Sequence, residues 1–292
     1  MSYDTVFRPG LFDGQVMIVT GGGSGIGRCI AHELAQLGAK VVITGRNPEK
    51  LATVQAEIVE DGGAVDTEAF DIREEDVVAE KVAAILERNG PVAGLVNNAG
   101  GQFPALLENI SQKGWDTVVR NNLTGGFLVA REVLNQSMKE TGGAIVNITA
   151  DNWNSMPHMG HSGAARAGMV NFTMTAALEW AHYHVRVNAV APGIIASAGL
   201  DTYDDAAKKR IRERQSIVPM RRFGTEAEVS AAVVFLLSPA AGFISGETLR
   251  VDGAVPNMTT SYKVPDHDPA EPYRGFHRAV EPEVLSKKEG ED

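Results

Sequence analysis

The segment Thr20-Gly21-Gly22-Gly23-Ser24-Gly25-Ile26-Gly27 follows a short β-branched run and leads straight into a stretch of helical period. Glycines let a backbone turn tightly and approach a pyrophosphate, whose charge then rests on the unpaired N–H groups and positive dipole end of the helix. Strand, glycine turn and helix in this order are what dinucleotide binding requires, so Gly21, Gly23, Ser24, Gly25, Ile26 and Gly27 are candidate cofactor contacts. Further on, Thr44-Gly45-Arg46-Asn47 ends the second expected strand, where an acid would bond the ribose hydroxyls of NAD. An arginine stands there instead. Its planar fork of donors suits the 2′-phosphate of NADP, which favours NADP(H) and leaves NAD(H) open; a solvated Arg46 stacked on adenine is the bland alternative. Asp71-Ile72 and Asn97-Asn98-Ala99-Gly100 close the third and fourth strands, and ligands of open α/β sheets lie over such carboxyl-end loops.

A sheet is needed to position these residues. From Gln15 to about Asp252, short β-branched runs alternate with longer helical segments, the pattern of a parallel sheet covered on both faces. Strands are expected at 15–20, 40–44, 65–71, 94–97, 144–149, 184–190 and 247–251. That is one doubly wound α/β domain with a seven-stranded parallel sheet and helices on both faces. Ile26, Cys29, Ile30, Leu34 and Leu37 form one stripe expected to face the sheet, and Leu51, Val54 and Ile58 form another. The domain spans 12–255, between an N-terminal arm, 1–11, and a C-terminal extension, 256–292. From Lys263 the composition shifts to prolines and charges, which reads as a mobile or surface-draped tail, or as an arm on a neighbouring subunit.

With 292 residues, 43% of them hydrophobic and 22% charged, the chain has enough apolar material for one substantial core. A formal charge of −10 makes nucleic acid and anionic membranes poor partners and leaves a small molecule as the expected one. The longest apolar run, Ala231 to Leu237, falls far below the roughly 18 residues of a membrane span. The start, MSYDTVFRPG, lacks the basic flank and apolar core of a signal peptide, and Glu289-Gly290-Glu291-Asp292 is no peroxisomal tripeptide. The cytoplasm is therefore expected. Cys29, the single cysteine, is expected to be a buried core thiol. No metal site is expected, because Asp266-His267-Asp268 are adjacent in a proline-rich tail and converge poorly on one ion.

In order along the chain, the Thr20 to Gly27 loop, Asn97 to Gly100, Asn188-Ala189-Val190-Ala191-Pro192-Gly193 and Gly246-Glu247-Thr248-Leu249-Arg250-Val251-Asp252-Gly253 resemble the motifs of the short-chain dehydrogenase/reductase family. The likeness covers residues 12 to 255. It implies a single Rossmann-type domain, hydride transfer to or from a nicotinamide, and a homotetramer or dimer. It also implies that Pro192, Gly193 and Ile195 bracket the nicotinamide. The family's chemistry rests on a serine, a tyrosine, a lysine four residues after the tyrosine, and an upstream asparagine. By this resemblance the asparagine is Asn122 and the hydroxyl residue Thr149. The tyrosine and lysine positions fall on Ser162 and Arg166 of Gly160-His161-Ser162-Gly163-Ala164-Ala165-Arg166. None of Tyr3, Tyr183, Tyr203, Tyr262 and Tyr273 lies in that segment.

A serine hydroxyl is too weak an acid to pass a proton as a tyrosine does, and an arginine is not deprotonated, although Arg166 suits the nicotinamide ribose. The stretch His161 to Gly168, Gly101-Gln102-Phe103 and the tail Ser261 to Asp268 are similar to peroxisomal trans-2-enoyl-CoA reductases. The related 2,4-dienoyl-CoA reductases shift the tyrosine to a position that is Asp151 here, and bacterial proteins of citronellol and geraniol catabolism share the pattern. This resemblance implies NADP(H)-dependent reduction of an α,β-unsaturated acyl-CoA. A citronellol/citronellal-type dehydrogenase, or a cofactor-binding protein without turnover, are the alternatives. In enoyl reduction hydride goes to Cβ and charge gathers on the carbonyl oxygen, which needs donors aimed at it. Asn122, Thr149, Ser162 and His161 are the candidates, and His161 is the expected proton donor, ahead of Asp151 and His158. Met156, Met159, Met169 and Met174 are expected to line an acyl pocket or the core, and Trp153 to wall the cleft.

Overall fold

Runs such as Val-Met-Ile-Val-Thr leave no polar face, so a strand built from them must be covered on both sides. The structure, a computed structural model, describes residues 2–202 and 205–285 and satisfies that requirement. The strands are β1 (Val16–Thr20), β2 (Lys40–Gly45), β3 (Ala64–Ala69), β4 (Val92–Asn97), β5 (Gly143–Ile148), β6 (Val185–Pro192), a short pair β7 (Ile195–Ala196) and β8 (Gly224–Thr225), and β9 (Thr248–Val251). The helices are α1 (Gly25–Gln36), α2 (Pro48–Glu60), α3 (Glu75–Asn89), α4 (Gln112–Val119), α5 (Gly125–Val133), the single turn α6 (Lys139–Thr141), α7 (Gly160–Glu179), α8 (Asp205–Gln215) and α9 (Glu226–Leu237).

All seven expected strands are present within two or three residues of their expected ends. They form one parallel sheet in the order β3-β2-β1-β4-β5-β6-β9. Growth of the sheet reverses between β1 and β4, which opens a crevice at the carboxyl ends of those two strands. The third strand stops at Ala69 rather than at 71 because the Asp71 carboxylate accepts the Arg73 backbone N–H and turns the chain. The β7–β8 pair carried no periodicity of its own and was not expected.

Strand side chains alternate between two apolar layers. Met17, Val19, Val41 and Ile43 pack with Ile30, Leu34, Leu51, Val54, Ile58 and Val233, from α1, α2 and α9. Ile18, Val42 and Leu95 pack on the other face with Val78, Val82, Ile85, Leu128 and Ala176, from α3, α5 and α7. Cys29 corrects the expected stripe. It is fully buried, but it lies with Tyr3, Ala227 and Phe276 in a separate cluster, because α9 and the two termini supply a second apolar face to α1. Burial pushes the thiol's pKa well up.

The described part of the C-terminal extension is draped over the surface of its own chain. Arg222 donates to the carbonyls of Ala270 and Glu271, Thr225 Oγ1 donates to the Tyr273 carbonyl at 2.7 Å, and Arg278 pairs with Glu60 and Asp61. The chain thus crosses its own α9, α1 and α2. Within it, Asp266 pairs with Arg221 while His267 is bonded to the Pro219 and Asp268 carbonyls, so these side chains are spent on separate partners. Residues 286–292, Met1 and Tyr203 lie outside the described residues. No helix among the described residues is long and apolar enough to cross a membrane.

Candidate active site

The glycine loop is locked to the loop after β4. Thr20 Oγ1 donates to the Val96 carbonyl and accepts the N–H groups of Asn98 and Ala99, each at 3.0 Å. The Asn98 amide returns the bond by donating to the Thr20 carbonyl at 3.0 Å. A Cβ on Gly27 would collide with that amide and with the Gly21 carbonyl, so only glycine lets α1 come this close. Gly21 adopts a φ of +67° and would meet the Ala99 backbone at 2.9 Å if it carried a side chain.

The N-terminus of α1 is left open. Ser24 is its extended N-cap residue but makes no side-chain cap, and the first turn carries no acid. The amides of Gly25, Ile26 and Gly27 therefore keep their hydrogens for an anion, and the residues fit the pyrophosphate of a dinucleotide. Glu226 is the counterweight: its Oε1 lies 3.8 Å from where a Gly25 Cβ would sit, and burial pushes its carboxyl up to about 7, which weakens the opposing charge. Arg46 is exposed beyond β2. Asp71 is committed to Arg73, whose hydrogen bonds hold its carboxyl below the usual range, and Ile72 is buried against Gly125. Gly193 donates to the Val251 carbonyl at 2.9 Å, which pins the Pro192-to-Ile195 segment beside β9.

Around the crevice, buried polar side chains divide sharply into the spent and the unspent. Asn122 lies in a π-helical turn, Arg120–Thr124, between α4 and α5. Its amide donates to the Gly101 and Val118 carbonyls at 2.7 and 2.9 Å, and its Oδ1 accepts the Gly101 N–H at 3.1 Å. Both amide hydrogens of Asn122 are thus engaged, and it positions the loop. The Thr149 hydroxyl donates to the Val190 carbonyl at 3.2 Å. Ser162, fully buried, donates to Gln102 Oε1 at 2.8 Å.

His161 and Arg166 are the unspent ones. His161 Nδ1 accepts the Ser162 backbone N–H at 2.9 Å, which directs Nε2 away from the backbone. The buried Nε2 has no partner, and the ring stands perpendicular to Phe103 at 4.6 Å. With Nδ1 accepting, Nε2 is the ring nitrogen that can face a ligand. Arg166 donates to the Ile148 carbonyl at 2.6 Å, keeps a buried Nε without a partner, and faces no carboxylate among the described residues. Burial draws its pKa down to about 10, so it stays charged. A buried cation lacking a counter-charge suits a polar ligand such as the nicotinamide ribose.

The loop after β5 forms the facing wall. Asp151 is held by its N–H to the Pro192 carbonyl, and burial followed by the charge of Asp252 raises its carboxyl. Trp153 lies under Arg250 with the guanidinium 5.7 Å from the ring centroid. His158 faces outward and takes part through its carbonyl, which accepts the Ala105 N–H at 2.8 Å. Met169 is buried, whereas Met174 is exposed on α7. Of the described tyrosines, Tyr3 and Tyr273 belong to the cluster at the termini. Gln102 and Thr20 were missed as site residues. A hydroxyl ending β1, and a polar side chain two residues past Gly100, were the available signals.

The sequence profile described as Enoyl-(Acyl carrier protein) reductase matches residues 21–255. The chain is 62% identical to the citronellol catabolism dehydrogenase (AtuB) of Pseudomonas aeruginosa PAO1, over 86% of this chain and 99% of that one, with a TM-score of 0.78. It is 34% identical over 245 residues to the probable 2,4-dienoyl-CoA reductase, (2E)-enoyl-CoA-producing, of Bacillus subtilis (strain 168), covering 82% of this chain and 95% of that protein. A crystal structure of a variant actinorhodin polyketide ketoreductase with NADPH is 32% identical, covers 86% of this chain and 100% of its own, and gives a TM-score of 0.79. Motif order, sheet order and these likenesses agree: the chain belongs to the short-chain dehydrogenase/reductase family of NAD(P)-binding oxidoreductases.

Proposed function

We propose that this protein reduces the C=C bond of an α,β-unsaturated acyl-CoA, or of a related branched terpenoid carbonyl compound, with NADPH. The observation that carries the reading is Ser162: where the family's tyrosine belongs stands a hydroxyl too weak as an acid, already donating to Gln102. Interconverting an alcohol and a ketone needs a proton moved at the oxygen itself. Reducing a conjugated C=C needs only that charge on the carbonyl oxygen be stabilised while Cα is protonated. The 2,4-dienoyl-CoA reductase likeness supports this reaction class, and the citronellol catabolism likeness supports a branched terpenoid skeleton.

When bound, the reduced nicotinamide supplies a hydride, one hydrogen with two electrons, to Cβ of the substrate and is left oxidised. The π electrons of the C=C bond shift to make an enolate, which collapses as Cα takes one proton. This chain's residues orient and stabilise. The amides at the start of α1 would hold the pyrophosphate, Arg46 the 2′-phosphate and Arg166 the nicotinamide ribose, while Pro192, Gly193 and Ile195 would bracket the ring. Asp151, with its raised carboxyl, delivers the proton to Cα directly or through water.

Interconversion of citronellol and citronellal is the second reading, favoured by the 62% identity to a protein described as a dehydrogenase. One assay separates the two. NADPH consumption is measured with a medium-chain trans-2-enoyl-CoA and its 3-methyl-branched analogue, beside citronellal, and NADP⁺ reduction with citronellol. Turnover is expected with the thioesters. Turnover of the aldehyde and alcohol alone selects the second reading, and tight NADPH binding with no turnover of either class overturns both.

A further inference from the structure

We propose that Gln102, held by Ser162, is the catalytic donor that stabilises charge on the substrate's carbonyl oxygen, in the role left open by the missing tyrosine. This rests on the reading of the reaction given above and names the group that reading lacks.

The argument begins with the two ends of one amide. Ser162 Oγ donates to Gln102 Oε1 at 2.8 Å, so the carbonyl end of the Gln102 amide is tied down. The nitrogen end must then face away from Ser162. Gln102 Nε2 has no hydrogen-bond partner among the described residues, and Gln102 is exposed at the crevice, so two N–H donors are available to a ligand. Ser162 itself is fully buried. A short side chain at the tyrosine's position thus extends its reach through a second residue, and exchanges an O–H donor for an N–H donor.

The loop that carries Gln102 is anchored at several points. Asn122 clamps both backbone groups of Gly101, and a Cβ on Gly100 would lie 2.6 Å from both Arg166 Nη2 and Asn122 Oδ1. The next turn is anchored through Ala105 N–H to the His158 carbonyl. Phe103 packs on His161, whose buried Nε2–H is, like Arg166 Nε, an unsatisfied donor. Donors held rigidly before the substrate arrives cost no reorganisation when charge develops. An amide cannot protonate the oxygen, which agrees with a reaction whose proton goes to Cα.

The test is a set of variants assayed with whichever enoyl thioester the wild type turns over. Gln102→Ala is expected to lower kcat by about 10²-fold, with NADPH affinity unchanged by fluorescence titration. Ser162→Ala acts only by releasing Gln102, so it should lower kcat by a similar factor, and the double variant should be no slower than the slower single one. Gln102→Glu keeps the acceptor for Ser162 but removes the N–H donors. Its kcat should be at least as low at pH 7.5 and should recover as pH falls and the carboxyl becomes a donor. Wild-type kcat in Gln102→Ala, or multiplying losses in the double variant, would overturn the proposal while leaving enoyl reduction standing. A wild type inactive on every enoyl thioester removes the underlying reading instead.

Discussion

Arg46 and Arg166, the two cations proposed to meet the cofactor, have opposite surroundings. Arg46 is exposed, engaged in no hydrogen bond among the described residues, and close enough to bias the charge on Asp71. Arg166 is buried and donates to one carbonyl, while its Nε keeps no partner. Removing Arg46 therefore subtracts a ligand contact and almost nothing from the fold. A charge-assisted bond to a phosphate is worth about 1.5–3 kcal/mol, so Arg46→Ala should weaken NADPH about ten- to a hundredfold and NADH by far less. Fluorescence titration with both cofactors checks this, and equal losses would remove the argument for NADPH. The open backbone of the glycine loop and the exposure of Arg46 were legible in the sequence because both are local features. The fates of Asn122, Thr149 and Ser162 were not legible. Whether a hydroxyl or amide is spent depends on partners such as Gly101, Val190 and Gln102, which the fold brings in from 21 to 60 residues away.

Between α4 and α5, one π-helical turn sets the geometry of the site. A π turn has weaker hydrogen-bond geometry than an α-helix and persists when a side chain repays it. Asn122 does so by donating to the Val118 carbonyl within the helix and to the Gly101 carbonyl outside it. Asn122→Ala would take a partner from the buried Val118 carbonyl and from both backbone groups of the exposed Gly101, at a cost of about 1 kcal/mol. The variant should unfold at lower urea concentration and lose kcat, because the loop carrying Gln102 is released. Asn122→Asp keeps the acceptor for the Gly101 N–H and should fall between. Equal urea midpoints for wild type and Asn122→Ala would show that the turn is held by packing alone. The strands that frame this turn were readable in advance, since unbroken apolar runs flanked by helical periods admit one arrangement. The face of Cys29 was not readable, because helical spacing shows which residues are apolar and not which of two partners covers them.

Across the whole molecule, the termini close a second, smaller core on the outside of the main domain. Phe276 stacks on Tyr3 at 5.7 Å between ring centroids, lies under Arg28 at 5.0 Å, and with Tyr3 and Ala227 seals the thiol of Cys29. Hydrogen bonds from Arg278 hold the Asp61 carboxyl down to about 2, which fastens the chain just beyond Phe276 to the end of α2. Tyr273 adds bonds to Asp4 and Thr225, and Glu283 and Val284 donate their N–H groups to Asp201 near the front of the crevice. A tail rich in proline and charge is therefore ordered by a few anchors, each too far in sequence from its partner to be seen in composition. Phe276 is the apolar anchor, and truncating it should cost about 3 kcal/mol of stability. Cys29 reports the same event chemically: sealed and with its pKa pushed up, it should resist a thiol reagent in the wild type. In Phe276→Ala it should be labelled at least tenfold faster, while NADPH affinity changes little. Labelling at the wild-type rate, in a variant shown by urea titration to be destabilised, would mean that Tyr3 and α9 seal the thiol without the tail.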